Sequence, residues 1–449
     1  MKLDLSNTKS DFLQRGIETM PVDQLKDMQF KKVQAIFKKA YKENAYYKQL
    51  CIETDTTPDD IKEYQDIQKI PFLDKSSVRN AYPFKLLLTD QKNVIEYHTT
   101  SGTTGKAIGI CATREDMDRW AEVNARSLWM CGSRPGDVML MSFAYGLATG
   151  IGFQYGAQLM GMGVVPGGIG RTDFLVDLIK DFKVNTITTT PTYGMHIEKR
   201  ALDRGINIAK DCHLKNGLFG AEPWPESTRQ KLEEALGIKA YNEFGMGEFL
   251  GPGMACECRK QNGMHVWSDH ILVECINPDT GEWVGEGERG EVVFSWIGSD
   301  SCVMLRYRSH DIASVYWEEC ECGRTHPRLG RILGRSDDGL SICGYVVFPT
   351  KVEEVLGSIE NVGLNFRMII DTVNRVDHLH IITEVSDNSI LHNRDAKKTL
   401  TNKVIKTCKT ELGMSPSVEL VEDGKLPRDT EHGKTASKRV EDRREPLND

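Results

Sequence analysis

No run in this sequence approaches the ~20 consecutive apolar residues needed to cross a bilayer as a helix, so no helical membrane span is expected. Positive charge is not in excess either. Lys+Arg number 57 against 65 Asp+Glu, a formal net charge of −8. General affinity for nucleic acid or for an anionic membrane is therefore not expected, and an anionic substrate would need locally placed Lys, Arg, backbone N–H groups or a metal. The opening stretch MKLDLSNTKSDFLQRG lacks the apolar core of about 7–15 residues and the small-residue cleavage site of a secretory leader, so the expected location is cytoplasmic. Among the twelve cysteines there is no C-x-x-C pair. In a reducing compartment a disulfide framework is not expected, and the cysteine spacings are read for metal or catalysis instead. Internal repeats and low-complexity segments are absent as well.

What is present is the composition of an ordinary globular protein, 39% hydrophobic and 27% charged over 449 residues, long enough for two or three domains. Leu25, Met28, Phe30, Val33, Ile36 and Phe37 recur at helical spacing and predict an amphipathic helix over 22–50. Then comes an alternation: DVMLMSF as a buried strand, YGLATGIGFQYGAQLMGM as a helix, GVVPGG as a strand, a helix with Thr172 as its N-cap, and the β-branched strand NTITTT. LKNGLFGAEPW and KAYNEFGMGE read as further strands ending in loops. Strands alternating with helices predict a mostly parallel α/β sheet over roughly 90–245. Residues 265–335 are strand-rich with turns such as NPDTGEW and GEGERG, and the Gly/Asp-rich joint GRSDDG at 334–339 precedes a smaller α+β pattern.

The stretch YHTTSGTTGKAIGI at 97–110 concentrates glycine, threonine and serine around one lysine. It does not fit the G-x-x-x-x-G-K-[ST] phosphate loop, because two residues separate Gly102 from Gly105 and Ala107 follows Lys106. AIGIC reads as a strand, and the capping-box-like TRED at Thr113 starts the next helix. A strand–loop–strand hairpin is therefore expected. Its glycines and hydroxyls suit either a phosphate cradle or a plain flexible turn, and spacing alone leaves both open.

The order of the motifs carries further. TTSGTTGKAIGI, YGLATGIGFQYGAQLMGMGVVP, GLFGAEPW, FGMGEFLGPGMACEC, RYRSHDI, GRSDDGLSICGYVVFP and LPRDTEHGKTASKRV follow one another as in the phenylacetate–CoA ligase branch of the adenylate-forming (acyl-CoA synthetase) superfamily, which the chain resembles from about residue 20 to 445. The resemblance implies a large N-terminal adenylate-forming α/β domain of mixed sheets flanked by helices (1–335) and a small mobile α+β C-terminal domain (336–449). It implies an enzyme that activates a small carboxylic acid, aryl or arylacetic, with ATP and Mg²⁺ as acyl-AMP and passes it to coenzyme A. A homodimer is also implied.

Site residues follow from the same resemblance. Ser101, Gly102, Thr103, Thr104, Gly105 and Lys106 would hold the β- and γ-phosphates, and Glu248 the magnesium. Gly220, Ala221, Glu222 and Pro223 with Tyr241, Asn242, Glu243 and Phe244 would wall the adenine. Asp311 would accept from the ribose hydroxyls, with Arg335 nearby. Tyr145, Ala148, Gly220 and Gly245 would line the acid pocket. Lys434 would reach the α-phosphate, with Lys438 as its rival, and Asp337 would be the hinge. Joining a carboxylate to a phosphate is a meeting of two anions, so such residues act by neutralising charge and by positioning. Cysteine spacing leaves free thiols and a metal site both open, since Cys256, Cys258 and His265 lie about sixty residues from Cys320 and Cys322. The resemblance implies a structural zinc on Cys258, His265, Cys320 and Cys322, with Cys256 to spare.

The chain departs from the family pattern at several points. Phe244 and Gly247 stand where Tyr and Ser or Thr are common, Cys343 and Val346 where Arg and Asn are common, and Ala148 and Gln154 where a bulkier aromatic and a His are usual. The resemblance implies that the loop holding Cys343 and Val346 faces the acceptor, so an amine, a carrier-protein thiol or a hydroxyl stands as the alternative to coenzyme A. A zinc-stabilised binding protein without activity is the alternative outside enzymology.

Overall fold

The computed structural model describes residues 3–99, 108–143, 150–336, 340–342, 345–373, 376–427 and 439–443. It divides into two compact units, one of Met1–Ala221 with Glu233–Arg331 and one of Glu222–Leu232 with Ile332–Asp449. Among the described residues no helix is long and apolar enough to cross a membrane.

The first unit begins with the helix predicted over 22–50, but as two helices, Val22–Glu43 and Ala45–Glu53. Asn44 breaks it. Its backbone is extended, its Oδ1 accepts from Tyr47 N at 2.8 Å, and its Nδ2 donates to the carbonyls of Lys85 and Leu87. The apolar spacing runs through the break, and the cap ends the first helix all the same. The expected hairpin is present, with β1 (Glu96–Thr99) antiparallel to β2 (Gly109–Ala112). The next helix, Arg114–Met130, starts on the expected capping box. Thr113 Oγ1 accepts from Asp116 N, and Asp116 Oδ2 accepts from Thr113 N at 3.0 Å.

A single sheet then organises the unit. Its strands are β3 (Val138–Met141), β4 (Gly163–Pro166), β5 (Thr186–Thr189), β6 (Asn216–Phe219), β7 (Lys239–Met246), β8 (Gly251–Glu257), β9 (Met264–Val266), β10 (Ile271–Ile276), β11 (Arg289–Trp296), β12 (Tyr307–Tyr316) and β13 (Arg328–Leu329). Among the described residues the order is β10-β11-β12-β13-β9-β8-β7-β6-β5-β3-β4. From β4 to β7 every pairing is parallel, and from β7 to β10 every pairing is antiparallel. The helix Ile151–Leu159 packs on Arg114–Met130 through glycine. A Cβ on Gly152 would lie 2.4 Å from the Trp120 ring, and one on Gly156 2.7 Å from the Ala125 backbone. Thr172 is not an N-cap. Arg171, in the left-handed region at φ 49°, takes that place without a side-chain cap, and Thr172 Oγ1 lies 3.1 Å from Tyr193 Oη.

The second unit holds β14 (Gly334–Arg335), the antiparallel pair β15 (Leu340–Ile342) and β16 (Tyr345–Val347), and a four-stranded sheet. That sheet runs β19 (Ser417–Val421), β18 (Val376–Val385), β17 (Val362–Val373), β20 (Val440–Asp442). Helices Pro349–Gly357 and Arg394–Leu412 bury Val352, Val355, Leu400 and Val404 with Phe366, Met368 and Ile381 of the sheet.

Strand β7 pairs with β6 through Lys239–Asn242 and with β8 through Glu243–Met246, and the second pairing is bulged. Phe244 faces Ala255 and Met246 faces Gly251, so β8 fits extra residues, Pro252 to Met254, against Gly245. A Cβ at Gly245 would lie 2.1 Å from Gly251 O. Gly245→Ala is therefore expected to destabilise the protein by about 2 kcal/mol or more. Gly16, which has nothing within 4 Å of an added Cβ, should accept Ala within about 0.5 kcal/mol. Urea unfolding of the two variants measures both.

Candidate active site and metal centre

The two edges of β7 meet different polar groups. Glu243 is fully buried, and its Oε1 accepts from Gly253 N at 2.7 Å. Gly220, at the end of β6, comes so close that a Cβ there would lie 2.7 Å from Glu243 Oε2. Ala221 follows in the left-handed region at φ 67°. Burial pushes the Glu243 carboxyl up to about 8, the one Gly253 bond opposing it. Tyr241 is buried beside Cys131 and Cys256, and the Phe244 ring stacks on Phe294 at 5.4 Å.

Between β7 and β8 a short turn, Gly247–Phe249, carries Glu248. Leu250, at φ 71°, closes it. Glu248 is buried, and its Oε1 accepts from the Tyr307 hydroxyl at 3.3 Å. Asp311 sits on a bulge. Glu291 pairs with Ile312 and Val293 with Arg308, so β12 carries Ser309, His310 and Asp311 as extra length, with His310 at φ 64°. Ser309 Oγ pins the bulge by donating to Val292 O at 2.7 Å and accepting from Asp311 N at 3.0 Å. A bulge of this kind re-aims a side chain at a sheet rim. Thus Gly220, Ala221, Tyr241–Gly245, Glu248 and Asp311 share the first unit, on β6, β7, its turn and β12. Glu222, Pro223 and Arg335 are grouped with the second unit. Ser101, Gly102, Thr103, Thr104, Gly105, Lys106, Tyr145, Ala148, Asp337, Cys343, Lys434 and Lys438 lie outside the described residues.

A second cluster lies at the far ends of β8, β9 and β12. The ligand atoms of Cys258, His265, Cys320 and Cys322 all fall within 4.8 Å of one another, and all four residues are buried. Cys258 Sγ is 3.8 Å from Cys320 Sγ, and Cys322 Sγ is 3.3 Å from His265 Nε2. A tetrahedral zinc with Zn–S of about 2.3 Å sets its sulfurs about 3.8 Å apart, so the spacing fits such an ion. Gly323, at φ 84°, donates to Cys320 O at 2.7 Å and makes the tight turn that turns both cysteines inward. Contacts with Cys320 and Cys322 raise the Cys258 thiol, while contacts with Cys258 and Cys320 hold Cys322 far below the ordinary thiol range. His265 Nδ1 faces the His326 carbonyl at 3.1 Å, a bond that would leave Nε2 for a metal. Cys256 takes no part, since its Sγ lies 3.5 Å from that of buried Cys131.

The residues just after this turn hold the start of the chain. Arg324, 3.8 Å from Cys322 Sγ through Nη1, pairs with buried Glu18 at 2.7 Å and donates to Asp11 O. Thr325 N donates to Glu18 O, and His326 Nε2 lies 2.9 Å from Ile17 O. Glu122, Asp269 and His270 also converge, but the Arg126 guanidinium already pairs with Glu122 and Asp269 there. Burial opposes it, yet His270 and Arg126 hold the Asp269 carboxyl well below the usual range.

These placements can be set beside known proteins. The family model for AMP-binding enzymes matches residues 26–307 and that for the AMP-binding enzyme C-terminal domain matches 344–444. The phenylacetate-coenzyme A ligase of Thermus thermophilus is 35% identical over 94% of this chain and 97% of its own length. The chain belongs to the AMP-binding enzyme family, in the branch of the phenylacetate–CoA ligases. Within this branch, the Escherichia coli ligase of the same name is 34% identical over 94% of the chain and 96% of its own. A solved structure of 2-hydroxyisobutyryl-CoA ligase, in the postadenylation state with R3-HIB-AMP, superposes with a TM-score of 0.91 at 26% identity. It covers 98% of this chain and 94% of the other. The adenylate-forming ligase fold expected from the motif order is thus the observed one.

Sequence reasoning missed Tyr307, although it lies inside RYRSHDI, because an aromatic beside an arginine carries no signal of a carboxylate partner. It missed the Glu18–Arg324 pair because its members lie far apart in the chain.

The Glu243 carboxyl gives a pH test. Below pH 4.5 it is protonated both folded and unfolded and costs nothing. As pH rises toward 8 the unfolded chain ionises first, so stability falls across that window and levels above it. Glu243→Gln should abolish this descent. The difference in unfolding free energy between wild type and variant should change by a few kcal/mol from pH 5 to pH 8, measured by urea titration at each pH.

Proposed function

We propose that this chain is an ATP-dependent carboxylic acid–coenzyme A ligase. A carboxylate oxygen attacks the α-phosphorus of ATP, the bond to pyrophosphate breaks, and acyl-AMP forms. The thiol of coenzyme A then attacks the acyl carbon and AMP leaves. The observation that carries this reading is the 35% identity with phenylacetate-coenzyme A ligase over 94% of the chain. The substrate class is aryl or arylacetic acids.

In this reading Ser101–Lys106 cradle the β- and γ-phosphates with converging N–H groups and hydroxyls. Gly220–Pro223 and Tyr241–Phe244 bound the adenine, Asp311 accepts from the ribose hydroxyls, and Arg335 lies near them. Tyr145, Ala148, Gly220 and Gly245 line the acid pocket. Lys434 neutralises charge at the α-phosphate as the carboxylate arrives. Residues 336–449 act as a lid domain turning about Asp337 between the two half-reactions. Magnesium, when bound, neutralises phosphate charge. Glu248 fits it, being a buried carboxylate with no cationic partner among the described residues. Cys258, His265, Cys320 and Cys322 hold a structural zinc, since all four positions are filled by protein and none is left for substrate. The protein works in the cytoplasm as a homodimer.

Acid-dependent ATP–pyrophosphate exchange over aryl, arylacetic and amino acids is expected to find an aryl or arylacetic substrate, and adding coenzyme A should give its thioester. Lys434→Ala should lower exchange about 10²-fold or more. Exchange with no acid on the panel would refute the proposal, and product with an amine but not with coenzyme A would refute the acceptor. Metal analysis should find one zinc per chain, lost in a Cys320→Ser, Cys322→Ser double variant. Chelation should speed amide exchange in residues 11–20, which the Arg324–His326 segment holds.

A further inference from the structure

We infer that Tyr307 is a positioning residue for magnesium, fixing the plane of the Glu248 carboxylate that receives it. The inference rests on the reading of Glu248 as the magnesium ligand. A carboxylate at the end of a glutamate turns freely about its last torsion, which is broad and twofold. In the first unit that rotation has a stop. The Tyr307 hydroxyl donates to Oε1 at 3.3 Å, and among the described residues it is the donor that Glu248 has. One such bond occupies a single lone-pair direction out of about four, so the other oxygen keeps its capacity for a hard cation.

The hydroxyl can act as a stop because the ring behind it is buried and packed on Phe249. Tyr307 is 2% exposed, and its ring meets Phe249 edge-on, 6.0 Å between centroids at 69°. Phe249 in turn meets Phe294 and Trp296. The backbone is held on both sides. Leu73 N donates to Arg306 O at 3.0 Å, and Arg308 N donates to Leu73 O at 2.8 Å. The Arg306 side chain is buried against Glu274 and donates to Ile70 O. Glu248 is itself fixed by its turn, whose next residue, Phe249, touches the Tyr307 ring. Acid and phenol are thus packed as one block, with the hydrogen bond as its polar link.

Three variants test this: Tyr307→Phe, Glu248→Gln, and both together. For each, the affinity for ATP is measured by titration calorimetry in magnesium and again in EDTA, and the magnesium dependence of pyrophosphate exchange is followed. Tyr307→Phe is expected to leave the affinity in EDTA unchanged and to cut the gain from magnesium about three- to tenfold, as loss of one ordinary hydrogen bond should. The apparent KM for magnesium should rise by the same factor, with a smaller change in kcat. Glu248→Gln should remove the gain, and adding Tyr307→Phe to it should change nothing further. If Glu248→Gln removes the gain while Tyr307→Phe leaves it intact, the inference is overturned and the Glu248 reading stands. If Glu248→Gln leaves the gain intact, that reading falls and the inference with it. If Tyr307→Phe also weakens binding in EDTA, or adds to the effect in the Glu248→Gln background, its role is structural and the inference is overturned.

Discussion

Strand β7 bonds to a parallel neighbour along one edge and to an antiparallel one along the other, and the backbones beside it leave no room for side chains at Gly220 and Gly245. Most of the candidate site in the first unit depends on that fit. It sets the Glu243 carboxyl between β6 and the β8 bulge, and it carries Glu248 outward on the turn that ends the strand. A parallel half-sheet built from short buried strands supplies rigidity, and the antiparallel half supplies the bulges that re-aim residues such as Asp311. The site lies where the two strand patterns meet.

Much of the interior charge is paired. Arg306 with Glu274, Arg324 with Glu18, and Arg126 with Glu122 and Asp269 are all nearly inaccessible to water. Such pairs contribute little net stability, because each ion gives up its hydration to form them, but breaking one leaves a buried charge uncompensated. What they do here is join distant segments. Arg306 ties the start of β12 to residues near 70, and Arg324 ties the Cys320–Gly323 turn to the first helical turn of the chain. Glu243 differs: isolation from water keeps its proton so far up the pH scale, although the one backbone N–H it accepts from opposes this.

Local features were legible in the sequence. The hairpin around 97–110, the capping box at Thr113, the parallel alternation and the strand-rich texture after residue 265 all follow from short-range chemistry. The convergence of Cys258, His265, Cys320 and Cys322 was readable only with the order of motifs behind it, because their spacing matches no common knuckle. The break at Asn44 was not legible, since the apolar period continues past a residue whose role depends on the carbonyls of Lys85 and Leu87. Arg171 at the N-cap was hidden for a similar reason. A left-handed arginine gives way to a neighbouring threonine in any reading by propensity. The helix Arg114–Met130 looks half polar, yet Glu122, Asn124 and Arg126 are all buried in it, Arg126 pairing with Glu122 within the helix and with distant Asp269, and Asn124 donating to distant Pro252 O.

The attachment of the chain's start to the turn after the zinc-type cluster has a consequence for the order of assembly during synthesis. Ser10 accepts from Trp129, and Thr8 from Arg134, so the first part of the arm finds partners about 120 residues downstream. Glu18 waits for Arg324, 306 residues later. At about 5–20 residues per second, that is about 15 to 60 s in which a carboxylate destined for the interior stands in water while the sheet forms around its future partner. The last contacts to close are therefore the ones that join the two ends of the first unit, and a ribosome halted before residue 320 would hold a sheet with its leading segment only half fastened.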